Sequence, residues 1–209
     1  VRATEVEPEV FRADVSRTKA VLEDTIGTAV DGFRAASFSI GRRNLWALDV
    51  LAEAGYRYSS SIYPIRHDLY GMPEAPRGPF RYQGSGILEL PVTTAQVLGR
   101  NLPAGGGGYF RLLPYAYYRW ALRQVNRQEM RPGIFYFHPW EIDPEQPRQA
   151  GVGWKTRIRH YTNLGRMEAR LGRLLTDFQW STMRDAFADA DADPVTWPAP
   201  ATEVQQATP

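Results

Sequence analysis

The first long element that the pattern of hydrophobic positions predicts is an amphipathic helix. Glu7-Pro8-Glu9 suits a helix N-terminus, because proline fits the first turn and acids face the positive end of the helix dipole. Gly27 is expected to end the helix. Side chains at helical spacing form the expected buried stripe, which consists of Phe11, Val15, Thr18, Leu22 and Ile26.

Short apolar runs alternate with a second helical pattern further along the chain. Residues 30–33 predict a short strand that ends at Arg34, and residues 56–62 predict a strand that ends at Pro64. Residues 44–54 between them predict a helix stopped by Gly55. Strand, helix and strand with short connections are typical of parallel α/β architecture.

The remaining pattern is less regular. It predicts a loop at residues 67–82, a strand at 86–92, and helices at 114–126 and 163–178. Four glycines at 105–108 indicate a flexible loop near a ligand site rather than a phosphate loop, because no Lys-Ser/Thr pair follows them. Residues 1–187 are predicted to form one domain, and residues 188–209 a disordered tail with too little apolar content to fold.

One apolar run ends abruptly on a titratable side chain, in Phe135-Tyr136-Phe137-His138-Pro139-Trp140-Glu141. Because the residue before a proline favours extended geometry, residues 134–138 predict a buried strand that carries His138 at its carboxyl end. Catalytic groups of α/β proteins lie at such ends. A histidine that only caps a core strand is the structural alternative.

Charged residues near these strand ends are the other candidates for chemistry. Arg34 follows an apolar run, so we expect a carboxylate partner, either in a salt bridge between strand ends or as a catalytic acid that the arginine orients. Glu141 and Asp143 raise the possibility of glycoside hydrolysis. Two acids so close in one loop rarely face each other across a sugar, and solvated loop acids are the favoured interpretation.

Composition excludes several classes of protein. The 209 residues are 43% hydrophobic, which is enough for a substantial core, and 25 basic against 23 acidic side chains do not predict nucleic-acid binding. Cysteine is absent, and three scattered histidines do not predict a metal site. No apolar run approaches the ~20 residues of a membrane span.

Aromatic side chains suggest a sugar-stacking wall of Trp140, Tyr109, Phe110 and Trp154.

Several motifs, taken together, resemble the polysaccharide deacetylases of carbohydrate esterase family four, in the branch found with bacterial exosortase and exopolysaccharide gene clusters. The resemblance covers residues 7–187. The motifs that resemble the family are residues 32–39 (GFRAASFS), 44–62 (NLWALDVLAEAGYRYSSSI) and 135–144 (FYFHPWEIDP). That branch also has an extra C-terminal region, which is matched by residues 67–71 (HDLYG), 105–110 (GGGGYF) and 159–163 (RHYTN).

The resemblance implies a distorted (β/α) barrel of about seven strands, of which this chain supplies the later part. It also implies metal-dependent removal of acetyl groups from N-acetylated sugars of an exopolysaccharide. In that family a divalent metal, commonly zinc, is held by one Asp and two His, an Asp is the base, and a His protonates the departing amine. By motif, His138 matches the acid and Arg34 the arginine that orients the catalytic Asp, while His67 and His160 join Trp140 as candidate substrate contacts.

The chain also departs from the family. The N-terminal Asp pair and the His-containing metal motif are missing, so Val1 is expected to follow the second metal-binding His in a longer protein. We therefore expect this piece to bind no metal, to be inactive by itself, and to expose strand edges and apolar surface on one side. Ala36 stands where the family often has Pro, and Ser59 where it usually has an Asp that pairs with the catalytic His. A non-catalytic carbohydrate-binding or scaffolding remnant is the alternative function.

Overall fold

The computed structural model describes residues 2–68, 70–190 and 192–196 and has a mixed α/β fold, which confirms the predicted class. The helices are α1 (Pro8–Ile26), α2 (Trp46–Glu53), α3 (Gly107–Leu112), α4 (Tyr115–Arg123), α5 (Trp154–Tyr161), α6 (Leu164–Asp177) and α7 (Met183–Ala186). The strands are β1 (Gly32–Phe33), β2 (Tyr58–Ser59), β3 (Phe80–Tyr82), β4 (Leu88–Glu89), β5 (Thr94–Val97), β6 (Arg100–Pro103) and β7 (Pro194–Val195).

Helix α1 has the predicted limits but not the full predicted stripe. Gly27 ends it in the left-handed conformation, and its N–H bonds the carbonyl of Glu23. Phe11 is buried against Trp46 of α2 and Phe33 of β1. The prediction that Thr18, Leu22 and Ile26 are buried is wrong, because all three are exposed. They lie in the C-terminal half of α1, which extends past the contacts of Phe11.

The main sheet has the order β1-β2-β4-β3-β7. Strands β1, β2 and β4 are parallel, as the strand–helix–strand pattern predicts, and β3 is antiparallel to β4. Main-chain bonds continue past the regular strands, from Leu90 N to Ser59 O and from Val92 N to Ile62 O. Within the described residues β1 has a neighbouring strand on one side only.

Several segments differ from their predicted structure. Residues 80–82 of the predicted loop form β3, and the hairpin of β5 and β6 was not predicted. Residues 134–138 are extended but make a single bridge, Gly106 to Tyr136, instead of a buried strand. Residues 194–195 of the predicted tail form β7 beside β3, whereas Asp191 and residues 197–209 of that tail lie outside the described residues.

The helices of the second half close a separate cluster. Predicted helices 114–126 and 163–178 are present as α4 and α6, and a π-helical turn at Gln124–Gln128 extends α4. Their apolar faces meet α3 in a cluster that contains Phe110, Tyr115, Tyr118, Leu122, Met167 and Leu174. None of the helices in the described part of the chain has the length and apolar character needed to cross a membrane.

Candidate functional site

His138 lies where an extended segment enters a tight turn. Its backbone is extended, with φ −106° and ψ 145°, and the 3-10 turn Pro139–Ile142 follows. The His138 amide donates to Glu141 Oε2 at 2.8 Å, and the Glu141 amide donates to the His138 carbonyl at 2.9 Å. These reciprocal bonds fix the backbone of a histidine whose side chain is exposed to solvent.

Glu141 is a buried anchor and not the solvated loop acid that the sequence predicts. Its Oε1 accepts a 3.0 Å bond from Arg111 Nε, and both side chains are 1% exposed. Both carboxylate oxygens are therefore engaged, one by Arg111 and one by His138, and the pairing leaves Glu141 unsuited to glycoside hydrolysis. Asp143 is exposed, as expected.

Arg111 ties this turn to the end of α5. Its Nη1 donates to the carbonyls of His160 and Thr162, at 3.0 and 2.8 Å, and its Nη2 donates to the carbonyl of Arg159 at 2.9 Å. A guanidinium that meets one carboxylate and three carbonyls compensates for the loss of water on burial. Arg111 was not a candidate in the sequence, because its partners lie about 30 and 50 residues away along the chain.

The ring of His138 forms a stack with the rings of Trp140 and His160. The rings of His138 and Trp140 lie 5.9 Å apart at 10°, and those of Trp140 and His160 lie 4.1 Å apart at 12°. His160 Nε2 is 2.7 Å from Gln146 Oε1. Burial, and next the nearby Arg111 charge, lower the pKa of His160, so its neutral form is favoured. The stack brings three of the predicted site residues together.

Tyr136 connects His138 with Arg34. The Arg34 guanidinium carbon lies 5.7 Å from the centre of the Tyr136 ring, and the His138 ring lies 6.1 Å from it. Arg34 Nε and Nη2 donate to the carbonyl and hydroxyl of Ser60, both at 2.9 Å. Arg34 forms no direct salt bridge with any residue that the structure describes. Burial lowers the pKa of Arg34, and the charge of Glu89 opposes this shift, so Glu89 is the carboxylate that acts on Arg34 from a longer distance.

The backbone after Arg34 is strained where it approaches Tyr136. Ser37 and Phe38 have φ of 55° and 50°, which residues with side chains rarely adopt. The Phe38 ring lies 4.9 Å from Tyr136 and 5.9 Å from the Arg34 guanidinium. Such strain persists only where surrounding contacts enforce it, and it is concentrated at functional sites.

The loop of His67 forms the next part of the aromatic surface. His67 stacks on Tyr70 at 4.0 Å, and the Tyr109 ring meets it edge-on at 6.4 Å. Burial lowers the pKa of His67. Asp68 Oδ2 accepts two 3.1 Å bonds from Arg159, which ties this loop to α5. Tyr70 contacts Phe38 at 5.6 Å, so the His67 loop and the His138 turn belong to one connected group of rings.

The other two predicted wall residues, Phe110 and Trp154, differ in their exposure to solvent. Phe110 is fully buried between Tyr115, Tyr118 and Phe135, so its prediction as a substrate contact is wrong. It follows Tyr109 in α3, where neighbouring side chains point in different directions. Trp154 is 68% exposed at the start of α5.

Glu89 is a buried acid that the sequence analysis did not single out. Its Oε1 accepts 2.7 Å bonds from the amides of Ser61 and Ile62, next to the Ser60 that holds Arg34. Burial raises the pKa of Glu89 to about 7 despite these bonds. A glutamate in the apolar run of residues 86–92 was the available signal, since such residues are rarely fully buried without partners.

Ser59 occupies the position where the family resemblance places an aspartate. It is fully buried, and its hydroxyl donates to Ser61 Oγ at 2.8 Å. The Ser59 hydroxyl is therefore used within its own segment, and Ser61 Oγ in turn accepts a 2.9 Å bond from the amide of Ala35, which follows β1.

The glycine run is fixed and not the flexible loop that was predicted. Gly105 O and Gly107 N both bond Tyr136 at 2.8 Å. A Cβ on Gly107 would lie 2.2 Å from Glu141 Oε2, and one on Gly106 would lie 2.7 Å from the Tyr136 hydroxyl. These glycines allow α3 to approach the His138 turn closely.

Comparison with known proteins gives one match. No curated protein and no solved structure is significantly similar to the chain. A family model described as a domain of unknown function, DUF3473, matches residues 60–188, and this domain is known from polysaccharide deacetylase-like proteins. The matched range includes His67, Tyr109 and the whole His138 turn, whereas Arg34 precedes it. Since the match covers more than half of the sequence, the chain belongs to the DUF3473 family.

Proposed function

We propose that this chain forms part of a metal-dependent polysaccharide deacetylase that removes acetyl groups from N-acetylated sugars of a bacterial exopolysaccharide. The proposal includes the distorted (β/α) barrel that the family resemblance implies. The observation that carries it is the placement of His138 and Arg34 in contact with the same Tyr136 ring, although their positions in the chain are 104 apart. The occurrence of the DUF3473 domain in polysaccharide deacetylase-like proteins supports it.

The role proposed for His138 is protonation of the leaving group. In amide hydrolysis the oxygen of water bonds to the carbonyl carbon, the C–N bond breaks, and the sugar nitrogen takes up a proton as acetate leaves. His138 is exposed, and its backbone is fixed by Glu141, so its imidazole can give that proton to a bound sugar. Arg34 presents a guanidinium beside it, which suits a carboxylate in the same site.

The described residues do not provide a metal centre for this reaction. In residues 2–68, 70–190 and 192–196 no three His, Cys, Asp or Glu side chains are grouped so that they could hold an ion. Arg34 and His138 have Ser60, Tyr136 and Trp140 as neighbours, and none of these is a usual zinc ligand. No reaction step is therefore assigned to a metal held by these residues.

The substrate contacts proposed for the site are the outer rings and the exposed edges of the aromatic stack around His138. The half-buried ring of Trp140 lies between His138 and His160, and the Arg111 guanidinium carbon is 5.2 Å from its centre. Rigid rings bind a ligand with a small loss of side-chain entropy, and such a stack offers an extended surface to a polymer. Tyr109 and His67 extend the aromatic surface on the side of Tyr70.

Acetate release from an N-acetylated polysaccharide by the whole protein that contains this chain tests the proposal. We expect His138→Ala to lower kcat by about 100-fold or more, the usual contribution of a general acid. Asp143→Asn, a change to an exposed acid of the same turn, is the control and should keep the rate. Removal of metal by a chelator should abolish the activity. Equal rates for wild type and His138→Ala would exclude the proposed role.

A non-catalytic glycan-binding function is the second candidate, and the stacked rings of His138, Trp140 and His160 favour it. It predicts that the chain binds an N-acetylated polymer without metal and that Trp140→Ala abolishes binding while His138→Ala does not. Detection of acetate from the whole protein with any divalent metal would decide for the enzyme.

A further inference from the structure

A row of arginines lies on the far end of the second cluster of helices. Arg119 and Arg123 of α4 and Arg127 of the π-helical turn are spaced four residues apart and line one groove of about 470 Å³. Arg173 of α6 also lines it, and its guanidinium lies 4.5 Å from the centre of the Tyr115 ring. Two helices thus direct cationic side chains into the same groove.

The groove carries a strong positive charge in a protein whose net charge is only +2. Its described lining has four arginines and no aspartate or glutamate, and the remaining members are Tyr115, Ala116, Trp120, Gln124 and Gln128. Asp177, an acid beside the groove, accepts a 2.7 Å bond from the Tyr115 hydroxyl and lies 3.3 Å from Arg119 Nε. One carboxylate therefore offsets one of the four charges, and the groove retains a positive field.

A second groove continues the first. It has a volume of about 690 Å³, shares Arg123 and Arg127 with the first groove, and is also lined by Asp177, Trp180 and Met130. The side chains of Trp180 and Met130 are 40% and 81% exposed, and Trp120 in the first groove is 43% exposed. The two grooves together form a track with cationic and exposed apolar side chains that is longer than one small ligand requires, and Asp177 is the acid in its described lining.

We infer that this track, lined by Arg119, Arg123, Arg127 and Arg173, binds an acidic polysaccharide that carries carboxylate groups. The inference rests on the proposed function, because it names the polymer class that the same protein would act on. The planar guanidinium of arginine matches a carboxylate with two parallel hydrogen bonds, and the exposed tryptophans offer flat apolar faces to sugar rings. Gln124 and Gln128 add uncharged donors and acceptors for hydroxyl groups.

Binding of polygalacturonate to the protein, measured by titration calorimetry, tests the inference. Polygalacturonate has no N-acetyl group, so binding does not depend on deacetylation and the inference can fail while the proposed function holds. Uncharged dextran should not bind. We expect Arg123→Gln/Arg127→Gln to weaken polygalacturonate binding at least tenfold, since the change removes two guanidinium groups that could form charge-assisted hydrogen bonds with carboxylates.

The control variant removes the same charge elsewhere. Arg43→Gln/Arg57→Gln alters two exposed arginines outside the track and should keep the affinity within about twofold, because exposed charges at a distance are screened by salt. Arg127→Gln alone changes one exposed side chain and should lose part of the affinity, which guards against misfolding of the double variant. Equal weakening by both double variants would overturn the inference, and so would tighter, Arg123-dependent binding of single-stranded RNA.

Discussion

The buried pair of Arg111 and Glu141 gives the sharpest prediction about stability. Glu141→Gln keeps the shape of the side chain but removes the charge that compensates Arg111, in a place where both side chains are 1% exposed. The glutamine side chain has a single acceptor oxygen, so it can accept from Arg111 or from the His138 amide but not from both. The substitution therefore leaves one buried cation without its counter-ion and one of these two donors without its acceptor.

The expected loss is a large part of the stability of the fold. Breaking a buried ion pair from one side costs about 3–5 kcal/mol, and native domains are stable by about 5–15 kcal/mol. The remaining bonds from Arg111 to the carbonyls of residues 159, 160 and 162 keep the guanidinium partly satisfied, which favours the lower end, about 3 kcal/mol.

Urea unfolding at pH 7, followed by tryptophan fluorescence and by circular dichroism, measures this loss. The control is Glu5→Gln, since Glu5 pairs with Arg2 at 2.8 Å but the two side chains are 58% and 54% exposed. That exposed pair should contribute less than about 1 kcal/mol. In the double variant Arg111→Met/Glu141→Gln no charge is left alone, so it should cost less than the two single variants together.

A loss for Glu141→Gln as small as that for Glu5→Gln would refute the reasoning. It would mean that water reaches the pair in solution and that the His138 turn is not held by Arg111. If the free-energy loss of the double variant equalled the sum of the losses of Arg111→Met and Glu141→Gln, the two side chains would not be energetically coupled, even if both single variants were unstable.

Two further predictions concern the surroundings of the site. The pKa of Glu89 is raised from 4.5 to about 7 in the folded protein, so its contribution to stability is full below pH 4.5 and is lost as the pH rises to about 7. The midpoint of urea unfolding should therefore fall over this pH range, and Glu89→Gln should reduce that fall. An unchanged pH profile in the variant would contradict the burial argument. Gly107→Ala should lower Tm by several degrees, because the new Cβ would displace Glu141. Gly108→Ala is the control, and it should leave Tm unchanged or raise it slightly because no atom lies within 4 Å of the new Cβ. Equal effects of the two variants in thermal unfolding would argue against the close approach of α3.

The sequence predicted four of the seven α-helices in the described residues, α1, α2, α4 and α6, because their own periodicity encodes them, and it missed α3, α5 and α7. The limits of α1 follow from Pro8 and Gly27, and α6 follows from apolar residues at helical spacing. The predicted burial of the α1 stripe is wrong beyond Val15, because periodicity shows which face of a helix is apolar but not how far the neighbouring element extends along it. The short strands and the hairpin of β5 and β6 depend on pairing between distant segments, which the local pattern does not contain.

The site was predictable where a local constraint marks a residue. Proline after His138 fixes its extended backbone, and the structure shows that geometry. Arg111 has no such mark, because its role arises when α3 packs against the turn and against the end of α5. Phe110 was misassigned for a related reason, since composition shows an aromatic residue but not the side of α3 on which it lies.

The positions of the proposed acid and of the arginine are set by separate parts of the chain. The backbone of His138 is fixed by Glu141 and Arg111, which belong to the DUF3473 match, whereas Arg34 lies before that match and is held by Ser60. The parts meet at Tyr136, whose ring touches both groups. Since each side has its own anchor, a change at Glu141 should disturb the histidine without moving Arg34, and a change at Ser60 should do the reverse. Tyr136 is itself bonded to Gly105 and Gly107 through its backbone, so the glycine run supports the contact at which His138 and Arg34 meet.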